Sequence, residues 1–123
     1  MTASPGGELK TRYTSVSGTK PLRDKIAEYL TNSKQTPCTS DQILVSNGGK
    51  QSLVQAILAF TGPGDEVIVP APYWVSYTEQ CTLAGSTPVV IRTDPEAGFL
   101  LDPEVLDTKI NSHTRMLILC NPS

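Results

Sequence analysis

Two kinds of apolar segment alternate along this chain: short unbroken runs and one-sided helical spacings. Ile43-Leu44-Val45, Val67-Ile68-Val69, Val89-Val90-Ile91 and the run 116–120 are unbroken and bounded by turn residues, which predicts four buried strands. Between them the spacing changes. Pro21 suits a first helical turn, and Leu22, Ile26, Tyr29 and Leu30 repeat on one face, predicting a helix to about residue 33. Leu53, Val54, Ile57, Leu58 and Phe60 predict a second helix, stopped by Thr61-Gly62-Pro63-Gly64. A third is expected over 73–83, ended by Gly85, and a fourth opens at Asp102-Pro103 with Val105, Leu106 and Ile110 facing inward.

Fully apolar strands alternating with one-faced helices predict an α/β fold, a mostly parallel sheet with flanking helices on both sides. Residues 1–18 hold Pro5, Gly6, Gly7 and Gly18 without periodicity and read as an irregular entry. The chain ends at Ser123 just after a strand, where such folds place a binding loop, so an internal piece of a larger domain is expected.

A length of 123 residues predicts one domain, and 38% hydrophobic residues suffice for a core. The net charge of −2 comes from scattered residues, so no basic stripe offers itself to nucleic acid or to an anionic membrane. The longest apolar run, 116–120, cannot span a bilayer, and the first ten residues lack the apolar stretch of a secretory signal. Cys38, Cys81 and Cys120 are odd in number and without metal-type spacing, which fits reduced thiols in an intracellular compartment.

Candidate chemistry concentrates where strands give way to helices. Gly48-Gly49-Lys50-Gln51 offers free backbone N–H groups and the positive end of a helix dipole, a phosphate cradle in outline. The same residues also describe an ordinary strand-to-helix turn with a solvated lysine. Trp74, in Pro72-Tyr73-Trp74, offers a flat surface for a planar heterocycle, or else fills the core. Tyr13 presents a phenol to a ligand or a neighbouring subunit, or is a half-buried surface tyrosine. His113 has no partner at triad spacing and receives no role, and capping and solvation account for the acidic residues. No metal ligands are identified.

Read together, Arg12-Tyr13-Thr14 with Gly18 and Leu22-Arg23, Val45-Ser46-Asn47-Gly48-Gly49-Lys50-Gln51, Pro63-Gly64-Asp65-Glu66-Val67, Pro70-Ala71-Pro72-Tyr73-Trp74-Val75-Ser76-Tyr77 and Asn121-Pro122-Ser123 resemble the class I/II aminotransferases of fold type I. The likeness is greatest to the branch of bacterial-type aspartate and plant-type aspartate/prephenate aminotransferases. It covers residues 10–123, read as part of the large cofactor-binding domain, with 1–9 as a start that does not match. The resemblance implies pyridoxal 5'-phosphate as cofactor, with Gly48, Gly49 and Lys50 at its phosphate and Trp74 stacked on its ring. It implies that Lys50 and Trp74 also meet the substrate, Lys50 at the distal carboxylate of acidic substrates. Tyr13 is implied to reach the phosphate of a partner subunit in a homodimer.

The resemblance further implies a transaminase acting in amino acid biosynthesis. It would move an amino group between an amino acid, aspartate or glutamate, and a 2-oxo acid in a soluble intracellular setting, cytoplasm or plastid. The family's cofactor-bonding lysine, pyridine-pairing aspartate and carboxylate-binding arginines have no counterpart here, so no catalytic residue is assigned within the chain, and alone it is expected to be inactive. Two other readings stay open: a non-catalytic module that associates with full-length subunits, and a small phosphate-binding α/β module.

Overall fold

The computed structural model describes residues 13–121. What the sequence predicts for residues 1–12, and for Pro122 and Ser123 of the Asn-Pro-Ser motif, lies outside that range. The chain forms two compact units, Met1–Asn47 and Gly48–Ser123.

In the first unit, α1 (Lys20–Lys34) begins after an extended Thr19 and carries Pro21 in its first turn, where a missing N–H costs nothing. It ends at Gln35 in the left-handed region (φ 53°), whose N–H bonds the Leu30 carbonyl. Ala27 is buried and Ile26 and Leu30 are half-buried, whereas Leu22 and Tyr29 of the expected apolar face are exposed. Arg23 reaches from α1 to the carbonyl of Ser40 (2.7 Å), at the start of a 3-10 helix, Ser40–Gln42. Gln42 closes that turn by accepting the Thr39 N–H at 2.9 Å.

The strand expected at Ile43-Leu44-Val45 is not formed. Ile43 is extended, but its N–H bonds the Ser40 carbonyl (3.3 Å) and the Val45 N–H bonds the Ser17 carbonyl (3.0 Å), so neither joins a ladder, and Leu44 is exposed. An apolar run becomes a strand only with a neighbouring strand along its length. A loop carrying Gly18 is the neighbour here.

The second unit contains α2 (Gly49–Phe60), β1 (Glu66–Ala71), α3 (Ser76–Leu83), β2 (Thr87–Arg92), α4 (Pro103–Lys109) and β3 (Thr114–Leu117). The three strands form a parallel sheet in the order β2-β1-β3, with Ile68 opposite Val89 and Leu117. The central strand is covered on both faces: Val67, Ile68 and Val69 are each at most 1% exposed. Val67 and Val69 join Ile57 of α2, Tyr77 and Cys81 of α3, and Ile118 in one core cluster. Alternation along the strand puts Ile68 on the opposite face.

Four predicted elements shift, the last strand forming over Thr114–Leu117 rather than 116–120. The third helix starts at Ser76 rather than 73, because Pro72 removes a donor and Tyr73 packs against the core from outside the helix. In α2 only Leu53, Val54 and Ile57 turn inward, and Leu58 and Phe60 are exposed. In α4, capped by Asp102 accepting the Glu104 N–H (2.8 Å), Leu106 is half-buried while Val105 and Ile110 are exposed. The acidic side chains do act in turns and caps. Asp65 accepts the Gly62 N–H at 3.0 Å and Arg115 at 3.2 Å, and Asp94 accepts the Glu96 N–H at 2.8 Å.

Candidate functional site

Gly48 is the N-cap of α2 and has φ 100° and ψ 160°, a conformation closed to ordinary L residues. Its carbonyl accepts the N–H groups of Gln51 (3.1 Å) and Ser52 (3.3 Å). The N–H groups of Gly49 and Lys50, first in the helix, have no intrahelical acceptor and stand at the positive end of its dipole. A Cβ placed on Gly48 or Gly49 would meet nothing within 4 Å. The backbone here is open to approach, as an anion cradle requires.

Lys50 extends from this turn to Trp74. Its Nζ lies 4.4 Å from the centroid of the Trp74 ring. Among the described residues no ion pair to Lys50 is found, so the π face is the partner its charge has in this structure. Trp74 follows β1 through the cis Ala71–Pro72 bond and is 46% exposed, with Tyr77 meeting it edge-on at 5.9 Å and 88°. Tyr77 is itself buried in the core cluster, so the ring that supports Trp74 is anchored from below. Trp74 is not the core filler of the alternative reading.

Gln80, which sequence reasoning missed, joins α3 to the glycine turn. Its Nε2 donates to the Lys50 carbonyl at 3.3 Å, and its Oε1 is buried without a partner. No local pattern could have revealed a bond across 30 positions. A shallow cavity of about 210 Å³ is lined by Lys50, Val75, Ser76, Glu79, Gln80 and Leu83. It flanks Lys50 without including the two glycines or Trp74, so the backbone and ring geometry define the candidate site better than the cavity does.

Tyr13 lies in the other unit with its side chain wholly exposed. His113 is exposed and uses its backbone, its carbonyl accepting the Glu66 N–H at 2.9 Å. Among the described residues no cluster of three His, Cys, Asp or Glu is placed to hold a metal. The three cysteines are not joined in disulfides: Cys81 is buried, Cys38 half-buried and Cys120 exposed. Burial pushes the Cys81 thiol up, partly offset by a hydrogen bond with Ser86. A hydrogen bond with Cys120, and then burial, pushes up the phenol of Tyr77. No helix among the described residues is long and apolar enough to cross a membrane.

A parallel sheet that delivers an exposed indole beside a glycine-led helix start, with one cation over the ring, defines an α/β domain suited to a ligand carrying both an anion and a flat ring. The chain belongs to the aminotransferase class I and II family, whose model matches residues 6–123. It is 53% identical over 116 residues to the bifunctional aspartate aminotransferase and glutamate/aspartate-prephenate aminotransferase of Petunia hybrida, covering 94% of this chain and 24% of that protein. It is 44% identical to the aspartate/prephenate aminotransferase of Cereibacter sphaeroides, covering 93% of this chain and 28% of the relative. A solved single mutant of Thermus thermophilus aspartate aminotransferase superposes with a TM-score of 0.90 at 38% identity, over 92% of this chain and 30% of that one. The chain therefore matches the fold of an aminotransferase fragment and spans about a quarter of the length of these curated relatives.

Proposed function

We propose that residues 10–123 are part of the cofactor-binding domain of a pyridoxal-phosphate-dependent transaminase that moves an amino group between aspartate or glutamate and a 2-oxo acid. The observation that carries this reading is the continuity of the glycine turn, the Lys50 ammonium and the Trp74 ring. The names of these three relatives, each an aspartate or aspartate/prephenate aminotransferase, support the substrate class.

The residues present fit the cofactor. The N–H groups of Gly49 and Lys50 would hold its phosphate, Gly48 would set the backbone for that approach, and Trp74 would lie against its ring. Pyridoxal phosphate, when bound, supplies an electron sink for carbon–hydrogen cleavage at the amino acid. The chain's own part is binding and orientation: the turn fixes the anion, Trp74 excludes water from one ring face, and Lys50 carries the charge that meets a distal carboxylate. Tyr13, on an exposed stretch of the first unit, would serve the phosphate of a partner subunit in a homodimer. Cysteines not joined in disulfides, and relatives from a plant and from bacteria, support an intracellular setting, cytoplasm or plastid.

Equilibrium dialysis tests the reading. The chain should retain pyridoxal 5'-phosphate in preference to pyridoxal, and inorganic phosphate should compete. Equal retention of both forms, or retention of ATP without pyridoxal phosphate, would instead favour a fortuitous hydrophobic surface or a nucleotide-binding module.

A further inference from the structure

The contact between Lys50 and Trp74 has two sides. The same ammonium that lies 4.4 Å over the indole is rooted at the second residue of α2, in the turn offered to the phosphate. The face of the ring that Lys50 covers is therefore the one reached from that turn. A flat ligand whose anion sits at the Gly49 and Lys50 amides would arrive on the covered face. An ammonium and a planar ring cannot both lie against one face of an indole, so one displaces the other.

Three features make Lys50 able to leave. Its residue is exposed, its ammonium has no ion pair among the described residues, and the open cavity flanking it offers room. A cation on an exposed aromatic face is held by only a weak attraction. Any second anion that draws the ammonium away uncovers the ring.

We propose that Lys50 is a displaceable cover on Trp74, so that a dicarboxylate binding to Lys50 and a phosphorylated planar heterocycle stacking on Trp74 each strengthen the other. This inference rests on the cofactor-site reading of Gly48, Gly49, Lys50 and Trp74. Linkage requires the strengthening to be reciprocal. Its size is bounded by the lost cation–π contact, about two- to fivefold in dissociation constant.

Trp74 is the only tryptophan in the 123 residues, so indole emission reports this ring alone. The probes are succinate and pyridoxine 5'-phosphate, which has no aldehyde to react with lysines. Succinate alone should change Trp74 emission in the native chain and leave it unchanged in Lys50→Met, a substitution at an exposed position whose folding is verified by circular dichroism. Pyridoxine 5'-phosphate should quench Trp74, with an apparent dissociation constant about two- to fivefold lower at saturating succinate. In Lys50→Met the succinate effect should vanish. Quenching that is indifferent to succinate in the native chain overturns the cover and leaves the cofactor site standing. Failure of pyridoxine 5'-phosphate to quench at any concentration overturns both.

Discussion

Gly18 and Val45 approach so closely that a Cβ on residue 18 would lie 2.8 Å from the Val45 Cβ and 2.9 Å from its Cγ2. Gly18 also has φ 98°, and the Ser17 carbonyl beside it accepts the Val45 N–H at 3.0 Å. Backbone strain and overlap therefore add. Gly18→Ala should lose about 2 to 5 kcal/mol of stability, read from denaturant midpoints. Gly48→Ala, with a similar φ but open space around the added carbon, should lose only the conformational part, about 1 to 2 kcal/mol. Equal losses for the two would refute the steric argument.

The cap of α4 rests on one carboxylate. Asp102 accepts the Glu104 N–H at 2.8 Å, and Pro103 follows in the first turn. Asp102→Ala should cost about 1 kcal/mol, and Asp102→Ser should recover most of it. Loss of the same size with serine would mean that the carboxylate works through charge instead.

The core should be dominated by the helix that follows the glycine turn. Ile57 is 1% exposed and packs with Val67, Val69, Tyr77 and Cys81, so Ile57→Ala should cost about 2 to 5 kcal/mol. Leu58→Ala, at a position 53% exposed, should cost well under half as much. Thermal or denaturant unfolding of the pair tests whether the inward face of α2 is the one described.

Alkaline pH should weaken the fold. Cys81 and Tyr77 hold their protons above their ordinary values of 9.0 and 10.0, the first through burial and the second mainly through its hydrogen bond with Cys120. Above about pH 9 the unfolded chain releases protons that the folded chain keeps. It then binds fewer protons than the native state, so stability falls as pH rises. The stabilising effect is fully present below the unfolded values. Denaturant midpoints should drop between about pH 8.5 and 10.5, with Cys81→Ala flattening the lower part of the fall. Midpoints that stay level or rise would contradict the assignment.

Much of this fold is legible in the sequence where one residue or run settles the local choice. Pro21 marks the start of α1, and the unbroken Val67-Ile68-Val69 run identifies the strand buried on both faces. The Ile43-Leu44-Val45 run looks equally strand-like, yet has no ladder, because pairing depends on a partner the run itself does not specify. Likewise, helical spacing identifies α2 and α4 but not which apolar side chains the sheet reaches, so Phe60 and Ile110 stay exposed. Within the site, Gly48, Gly49 and Lys50 stand out at a helix start and Trp74 between a strand and a helix. The contact of Lys50 with Trp74 and the Gln80 bond to the Lys50 carbonyl arise only when α2 and α3 pack.

On the proposed function, Lys50→Ala in a full-length transaminase carrying these residues should separate substrates by charge. Aspartate and glutamate lose a charged partner worth about 1.5 to 3 kcal/mol, so their kcat/KM should fall about ten- to a hundredfold more than that of alanine. Equal losses for aspartate and alanine at saturating pyridoxal phosphate would assign Lys50 to the phosphate alone.

On the proposed function, the glycine turn and Trp74 together receive one ligand, the turn taking its anion and the indole its ring. Two-dimensional NMR of the isotopically labelled chain, titrated with pyridoxine 5'-phosphate and separately with pyridoxine, tests it directly. The phosphorylated compound should shift the backbone amides of Gly49 and Lys50 and the indole N–H of Trp74 along one common binding curve, with unphosphorylated pyridoxine far weaker. Shifts confined to other surfaces, or Trp74 responding equally to both compounds while the Gly49 and Lys50 amides stay still, would contradict it.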